Sequence, residues 1–283
     1  LIARAGNEAQ RAEWLPRVIG GDVLGGFAYV ERQSRFALHD CLTTATRSGD
    51  GFVLNGEKVV VFNGEQADHL VVLARTSGEQ SDRTGLSLFI VEASAAGIDK
   101  MNYPMMDGQR VANVTFKDVA LSADALLGEE GNALALVEAL VDEAIIALAS
   151  EAVGIMGVLN TKTLEYAKTR EQFGVAIGSY QALQHRMVDM FMEVEQSKSM
   201  TTMATLKLDL PAAERMAAVS ACKAKVSRSA KFVGQSAIQT HGGIGITQEL
   251  AIGHFFKRAT MIESQFGSAD HHYARFERLT LAD

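Results

Sequence analysis

The stretch Leu127-Gly128-Glu129-Glu130-Gly131-Asn132 divides the chain into two kinds of sequence. Beyond it, no proline occurs between Asn132 and Thr169, and apolar residues recur at helical spacing: Leu136, Leu140, Ile145, Leu148, Ala152 and Ile155. Further helical stretches are expected over residues 180–208, from Pro211 to the glycines at 242 and 243, and over 248–260 and 268–281. Before the dividing stretch the chain reads as short strands. Residues 42–47 are threonine-rich, Ser48-Gly49-Asp50-Gly51 marks a turn, and Asn55-Gly56 is a strong hairpin signal between 52–54 and 59–62. Residues 70–74, 86–91 and 111–116 add three strands. The expected architecture is α+β and multidomain: an antiparallel β-barrel or sandwich over 25–127, then an up-down helical bundle over 128–283. A helix is also expected at 7–14.

Composition narrows the function. Of 283 residues, 47% are hydrophobic and 22% charged, which excludes a disordered chain. Cys41 and Cys222 are too few to staple a fold of this size. The net charge of −7 argues against nucleic acid or an anionic membrane as partner. No uninterrupted apolar run of the length a bilayer requires is evident, so a cytoplasmic protein is expected. The seven histidines show no metal-ligand spacing, and His271-His272 reads as a solvated helix start.

Three constellations could carry chemistry. Thr169-Arg170-Glu171-Gln172-Phe173-Gly174 offers an arginine for a phosphate and an aromatic ring, or equally a helix C-terminus capped by glycine. Gln239-Thr240-His241-Gly242-Gly243-Ile244-Gly245 offers bare amides to a phosphate, or an interhelical turn. Asp142-Glu143 interrupts an apolar helix. It offers a general base, or an exposed helix face.

Taken together, a β-domain, an Arg-x-Gln-Phe-Gly turn in a helical bundle, and Gln-x-His-Gly-Gly-x-Gly-x-Thr further on resemble the acyl-CoA dehydrogenase family. Leu15-Pro16 with Gly20-Gly21-Asp22, Asn55-Gly56-x-Lys58 with Asn63, and Tyr180-Gln181-Ala182-Leu183-Gln184-His185 with Asp189-Met190 extend the resemblance over nearly the whole chain. It implies FAD as cofactor, an acyl-CoA thioester as substrate, α,β-dehydrogenation as reaction and an electron-transfer flavoprotein as acceptor. It assigns Arg170, Phe173 and Gln181 to one FAD, with Gln239, Gly242 and Gly243 reaching it from a neighbouring subunit, and places Ser268 where the family has a flavin-side threonine. Residues 1–24 become the end of an N-terminal helical domain that the resemblance implies is otherwise missing.

Departures from the pattern carry information too. The family's Glu-Pro-x-Ala-Gly-Ser-Asp stretch reads Glu31-Arg32-Gln33-Ser34-Arg35-Phe36 here, and its Trp-Ile-Thr flavin contact reads Val60-Val61-Phe62. Its Tyr-Glu-Gly-Thr falls on Gln265-Phe266-Gly267-Ser268, so the usual catalytic glutamate is Phe266, which cannot accept a proton. Some members carry the base on the first long helix. Counting back from Gly154 and Tyr166 puts that position on Ala144, one residue from Glu143, the candidate base here. The alternative is a non-catalytic partner in a homo- or hetero-oligomer, similar to the small subunit of pimeloyl-CoA-type dehydrogenases. Arg32 or Arg35 would suit a dicarboxyl tail, or simply a solvated loop.

Overall fold

The computed structural model describes residues 1–281. Two compact units emerge: Leu1–Leu140, and a second beginning at Val141.

The first unit opens with a short helix, α1 (Ile2–Ala5), and then α2 (Glu8–Gly20). Asn7 and Gln10 close a reciprocal capping box on α2. The helix continues through Pro16, past the expected end at 14, and stops at Gly21, whose left-handed φ of 76° suits glycine. Eight strands follow: β1 (Gly25–Ala28), β2 (Thr44–Ser48), β3 (Gly51–Phe62), β4 (His69–Arg75), β5 (Leu86–Glu92), β6 (Ile98–Pro104), β7 (Arg110–Leu121) and β8 (Leu126–Leu127). They pair in the order β6-β7-β3-β2-β4-β5-β8, with β1 beside β4. Most pairs are antiparallel, but β2 meets β4 in parallel at Thr44 and Arg75, and β1 and β4 run parallel over their length, which corrects the expectation of a purely antiparallel sheet. The long connection between these two strands allows a parallel crossover that a tight turn would forbid. Leu54, Leu70, Val72, Phe89, Val114 and Phe116 are among the side chains closing the core of this unit.

Asn55-Gly56 is not a hairpin. β3 runs straight through it, and the turn lies earlier, where Ser48 pairs Gly51 around Gly49-Asp50. At Asn55 the register with β7 slips. Asn55 Nδ2 donates to Asp118 Oδ1 (3.0 Å) while Asn55 Oδ1 accepts from the Asp118 N–H (2.8 Å). Gly56 has φ 145°, and a Cβ there would lie 2.6 Å from Thr43 Oγ1. The glycine serves a bulge and a close approach, so tertiary contact overrides the local turn signal.

The long helix α3 (Leu134–Thr169) leads into the second unit, followed by the small strands β9 (Glu171–Gln172) and β10 (Val175–Ala176), then α4 (Gln181–Leu206), α5 (Ala212–His241), α6 (Ala251–Ser264) and α7 (Ala269–Thr280). Val141, Ile145, Ala149, Ala152, Met156 and Leu159 form a buried stripe along α3. By length and mean composition α3 resembles a membrane-crossing helix, as core helices often do, but acidic residues at 138, 142, 143 and 151 interrupt its apolar run. α5 is the central helix and packs on α4, α6 and α7.

Candidate functional site

α3 ends where Thr169 Oγ1 turns back to the Glu165 and Tyr166 carbonyls. The chain then makes a tight hairpin, β9 pairing β10 around Phe173-Gly174, both left-handed at φ 56° and 83°. Positive φ at both central residues is the geometry a two-residue hairpin needs. Gly174 is therefore a hairpin residue rather than the helix cap. Phe173 at the tip is 93% exposed, an unusual position for a phenylalanine, and Arg170 beside it is also exposed.

The second turn follows α5. Gly242 has φ 66°, and a Cβ at either Gly242 or Gly243 would meet nothing within 4 Å, so bare backbone faces outward. His241 is buried, its Nδ1 bonded to the Ala237 carbonyl (2.8 Å) and its ring stacked 4.4 Å from Tyr166. Tyr166 lies four residues before Arg170, so this stack sets the two turns side by side at one end of the unit. Tyr180 OH donates to the Gln172 carbonyl (3.3 Å), which brings the exposed Gln181, first residue of α4, to the same end. Arg170, Phe173, Gln181, Gln239, Gly242 and Gly243 thus gather there. Ser268 lies elsewhere, as N-cap of α7, its Oγ accepting from the His271 N–H.

The acidic pair divides. Asp142 is fully buried and clamped from two helices: Arg215 Nε donates to Oδ2 (2.9 Å), and Arg275 Nη1 and Nη2 both donate to Oδ1 (2.9 Å each). Neither an exposed face nor a free base describes it. Glu143 is half-buried and lies off the buried stripe.

The loop holding Phe266 is tightly built. Phe266 and Gly267 have φ 56° and 120°, and a Cβ on Gly267 would lie 2.6 Å from His272 Nε2. His272 is buried, which corrects the expectation of a solvated pair; its Nε2 meets the Phe266 carbonyl (3.0 Å) and its Nδ1 meets Ser220 Oγ (3.3 Å). Burial pushes the imidazole down to about 3, so it stays neutral. Lys223, also fully buried, donates to the carbonyls of Ile262 and Glu263 at the end of α6, and burial lowers it to about 8. The burial of His272 and Lys223 is not legible in the sequence, because it depends on packing against Ser220 and the end of α6, which no local pattern encodes.

In the β-domain, Glu31 is a hub. Its carboxylate accepts from Lys58 Nζ (2.7 Å), the Leu42 and Thr43 N–H groups (2.7 and 3.0 Å) and Gln33 Nε2 (2.7 Å). This ties down the loop over residues 31–43. Burial would raise the carboxyl, but the Lys58 charge and these hydrogen bonds hold it at about 2. Arg32 is engaged by Glu57 in a bidentate pair, and Arg35 is exposed. Burial pushes the Cys41 and Cys222 thiols up to about 11, which makes neither a nucleophile.

Comparison with known proteins agrees with this architecture. Residues 26–119 match the acyl-CoA dehydrogenase middle domain, and residues 116–278 match the acyl-CoA dehydrogenase C-terminal domain. The acyl-CoA dehydrogenase FadE12 of Mycobacterium tuberculosis is 31% identical over 267 residues, covering 92% of this chain and 68% of that protein. The short-chain specific acyl-CoA dehydrogenase of Megasphaera elsdenii is 28% identical over 282 residues, with coverages of 94% and 70%. Among solved structures, butyryl-CoA dehydrogenase from Megasphaera elsdenii superposes with a TM-score of 0.91 at 26% identity, covering 99% of this chain and 74% of that one. The FAD complex of PigA superposes with a TM-score of 0.89 at 27% identity, covering 97% and 72%. The chain belongs to the acyl-CoA dehydrogenase family.

Proposed function

We propose that this protein binds FAD and takes part in α,β-dehydrogenation of an acyl-CoA thioester, as an enzyme or as one subunit of it. The observation that carries the reading is the gathering of an exposed arginine, an exposed phenylalanine and bare glycine backbone at one end of the helical unit. Those residues fit the cofactor. Arg170 can meet a pyrophosphate bidentately, Phe173 can cover an apolar ring, and the open amides of Gly242 and Gly243 can approach a phosphate. The Tyr166–His241 stack supports one chain offering both turns to the same FAD, a simpler arrangement than division between subunits. Gln181 and Gln239 would add side-chain hydrogen bonds there. Ser268 would contribute from its own loop, at the start of α7.

When bound, FAD supplies the acceptor for the β-hydride. The protein's tasks are to orient the thioester, exclude water and take the α-proton. Glu143 is the carboxylate proposed for the proton, since Phe266 has no basic atom and Asp142 is held by two arginines. An electron-transfer flavoprotein as acceptor and an oligomer, with itself or with a homologue, complete the reading. A structure described as the electron transferring flavoprotein of Acidaminococcus fermentans is among the structural neighbours. A cytoplasmic location is part of the proposal. It rests on the acidic net charge. The second reading, a partner subunit without catalysis of its own, rests on Phe266 occupying the place of the family's glutamate.

Arg170→Ala tests the cofactor assignment. Loss of a hydrogen-bonded charge of this kind is worth about 1.5–3 kcal/mol, so FAD affinity should fall at least tenfold in a fluorescence titration. Unchanged affinity would remove Arg170 from the site.

A further inference from the structure

In β3, Lys58 pairs Val114 while Val61 pairs Ala112, so Val59 and Val60 together face the single residue Asn113 of β7. This is a β-bulge, and its conformation is strained. Val60 has φ 53°. Six non-glycine residues among those described have positive φ, and Val60 is the only β-branched one. A branched Cβ crowds the backbone in this region more than any other aliphatic side chain, and glycine or asparagine would adopt it readily. Strain of this kind persists only where the surroundings enforce it, and it concentrates at functional sites.

Neighbouring backbone and side-chain groups enforce it. A bulge frees backbone N–H groups from the ladder, and both find new partners here. The Val59 N–H donates to the Val30 carbonyl (2.8 Å). The Val60 N–H donates to Asn113 Oδ1 (3.1 Å), and Tyr103 OH on β6 donates to the same oxygen (2.9 Å). Asn113 is buried, and its side chain stands where an apolar residue would otherwise face the bulge. Immediately before the bulge, Lys58 is anchored by Glu31. The strand is thus pinned on both sides of Val60, whose side chain remains half-exposed.

We infer that Asn113, supported by Tyr103, is a positioning residue that holds Val60 in its left-handed bulge and so shapes the flavin-facing surface of β3. The inference rests on the function proposed above and on the resemblance, which puts Val60-Val61-Phe62 where the family has its Trp-Ile-Thr flavin contact. Neither Asn113 nor Tyr103 touches the cofactor in this account. They act through the backbone of Val60.

The test is a flavin fluorescence titration with FAD on the full chain and its partner, accompanied by the visible spectrum of bound flavin and a thermal melt. Asn113→Ala is expected to weaken FAD binding about tenfold and to alter the flavin spectrum while unfolding remains cooperative. Tyr103→Phe, which leaves the Asn113–Val60 bond in place, should weaken binding about threefold. It also serves if Asn113→Ala does not fold. In a Val60→Gly background glycine adopts the bulge unaided, so the added Asn113→Ala change should alter FAD affinity less than twofold. If both single variants bind FAD with unchanged affinity and spectrum and merely melt earlier, the role is structural and the inference is overturned. The inference also fails if Val60→Gly leaves the tenfold effect intact. Should wild-type protein take up no FAD with any partner, the proposed function falls first, and this inference with it.

Discussion

Replacing Asp142 by alanine is expected to destabilise the helical unit by about 3–5 kcal/mol, because it strips a buried carboxylate from two arginines that then keep their charge without a counter-ion. Asp142 is 0% exposed, and the side chains of Arg215 and Arg275 are only 14% and 18% exposed. Each guanidinium directs its donors at the carboxylate, so neither finds equivalent hydration once that group is gone. Urea unfolding should show a lower midpoint with little change in slope. The companion variant Asp142→Ala/Arg275→Met should recover part of the loss, since one of the stranded charges is then absent. A loss below about 1 kcal/mol would mean that the three groups behave as a surface pair does. The same variant bears on catalysis: Asp142 is held by the two arginines, and its neighbour Glu143 is the carboxylate proposed as base.

Lys58→Met should cost about as much, again about 3–5 kcal/mol, by leaving Glu31 buried without its cation. Lys58 is 0% and Glu31 3% exposed, so solvent screens this pair very little. The double variant Glu31→Gln/Lys58→Met should recover most of the loss, because two neutral groups of similar volume replace the pair. Acid provides a second, independent check. Glu31 sits at about 2 in the folded protein against an ordinary value of 4.5. A carboxyl depressed on folding contributes stability that is fully present above 4.5 and is lost as the pH falls from there toward 2. The difference corresponds to about 3 kcal/mol. Unfolding midpoints measured across this window should fall for the wild type and fall less steeply for Glu31→Gln. Parallel pH profiles for the two proteins would contradict the assignment. Loss of the pair should also loosen the loop over 31–43, since Glu31 holds the Leu42 and Thr43 amides.

Much of the fold can be read from periodicity, because helical and strand spacings are local properties. The change of character after Leu127-Gly128 and the helices that become α3, α4 and α5 are legible within a few residues. The turns at Arg170 and Gly242 are legible as glycine-bearing motifs, though not their adjacency, which depends on Tyr166 stacking on a histidine 75 residues away. Asn55-Gly56 misleads because the glycine answers to the approach of Thr43, not to a turn. Asp142 looks like part of a solvated face because its arginines lie 73 and 133 residues further on, at a distance no local pattern encodes. The bulge at Val60 is hidden for the opposite reason. Three consecutive valines read as a regular strand, and only the paired register with β7 reveals the extra residue.

The central claim is that this chain forms a flavin site that desaturates an acyl thioester with Glu143 as base. Its most direct measurement is anaerobic mixing of the FAD-loaded protein, reconstituted with itself or a homologous partner, with acyl-CoA while the visible flavin absorbance is followed. Wild type should bleach, and Glu143→Gln, with FAD still bound, should not. Bleaching that survives Glu143→Gln but vanishes when the partner subunit is removed would contradict it, and would assign the catalysis to the partner.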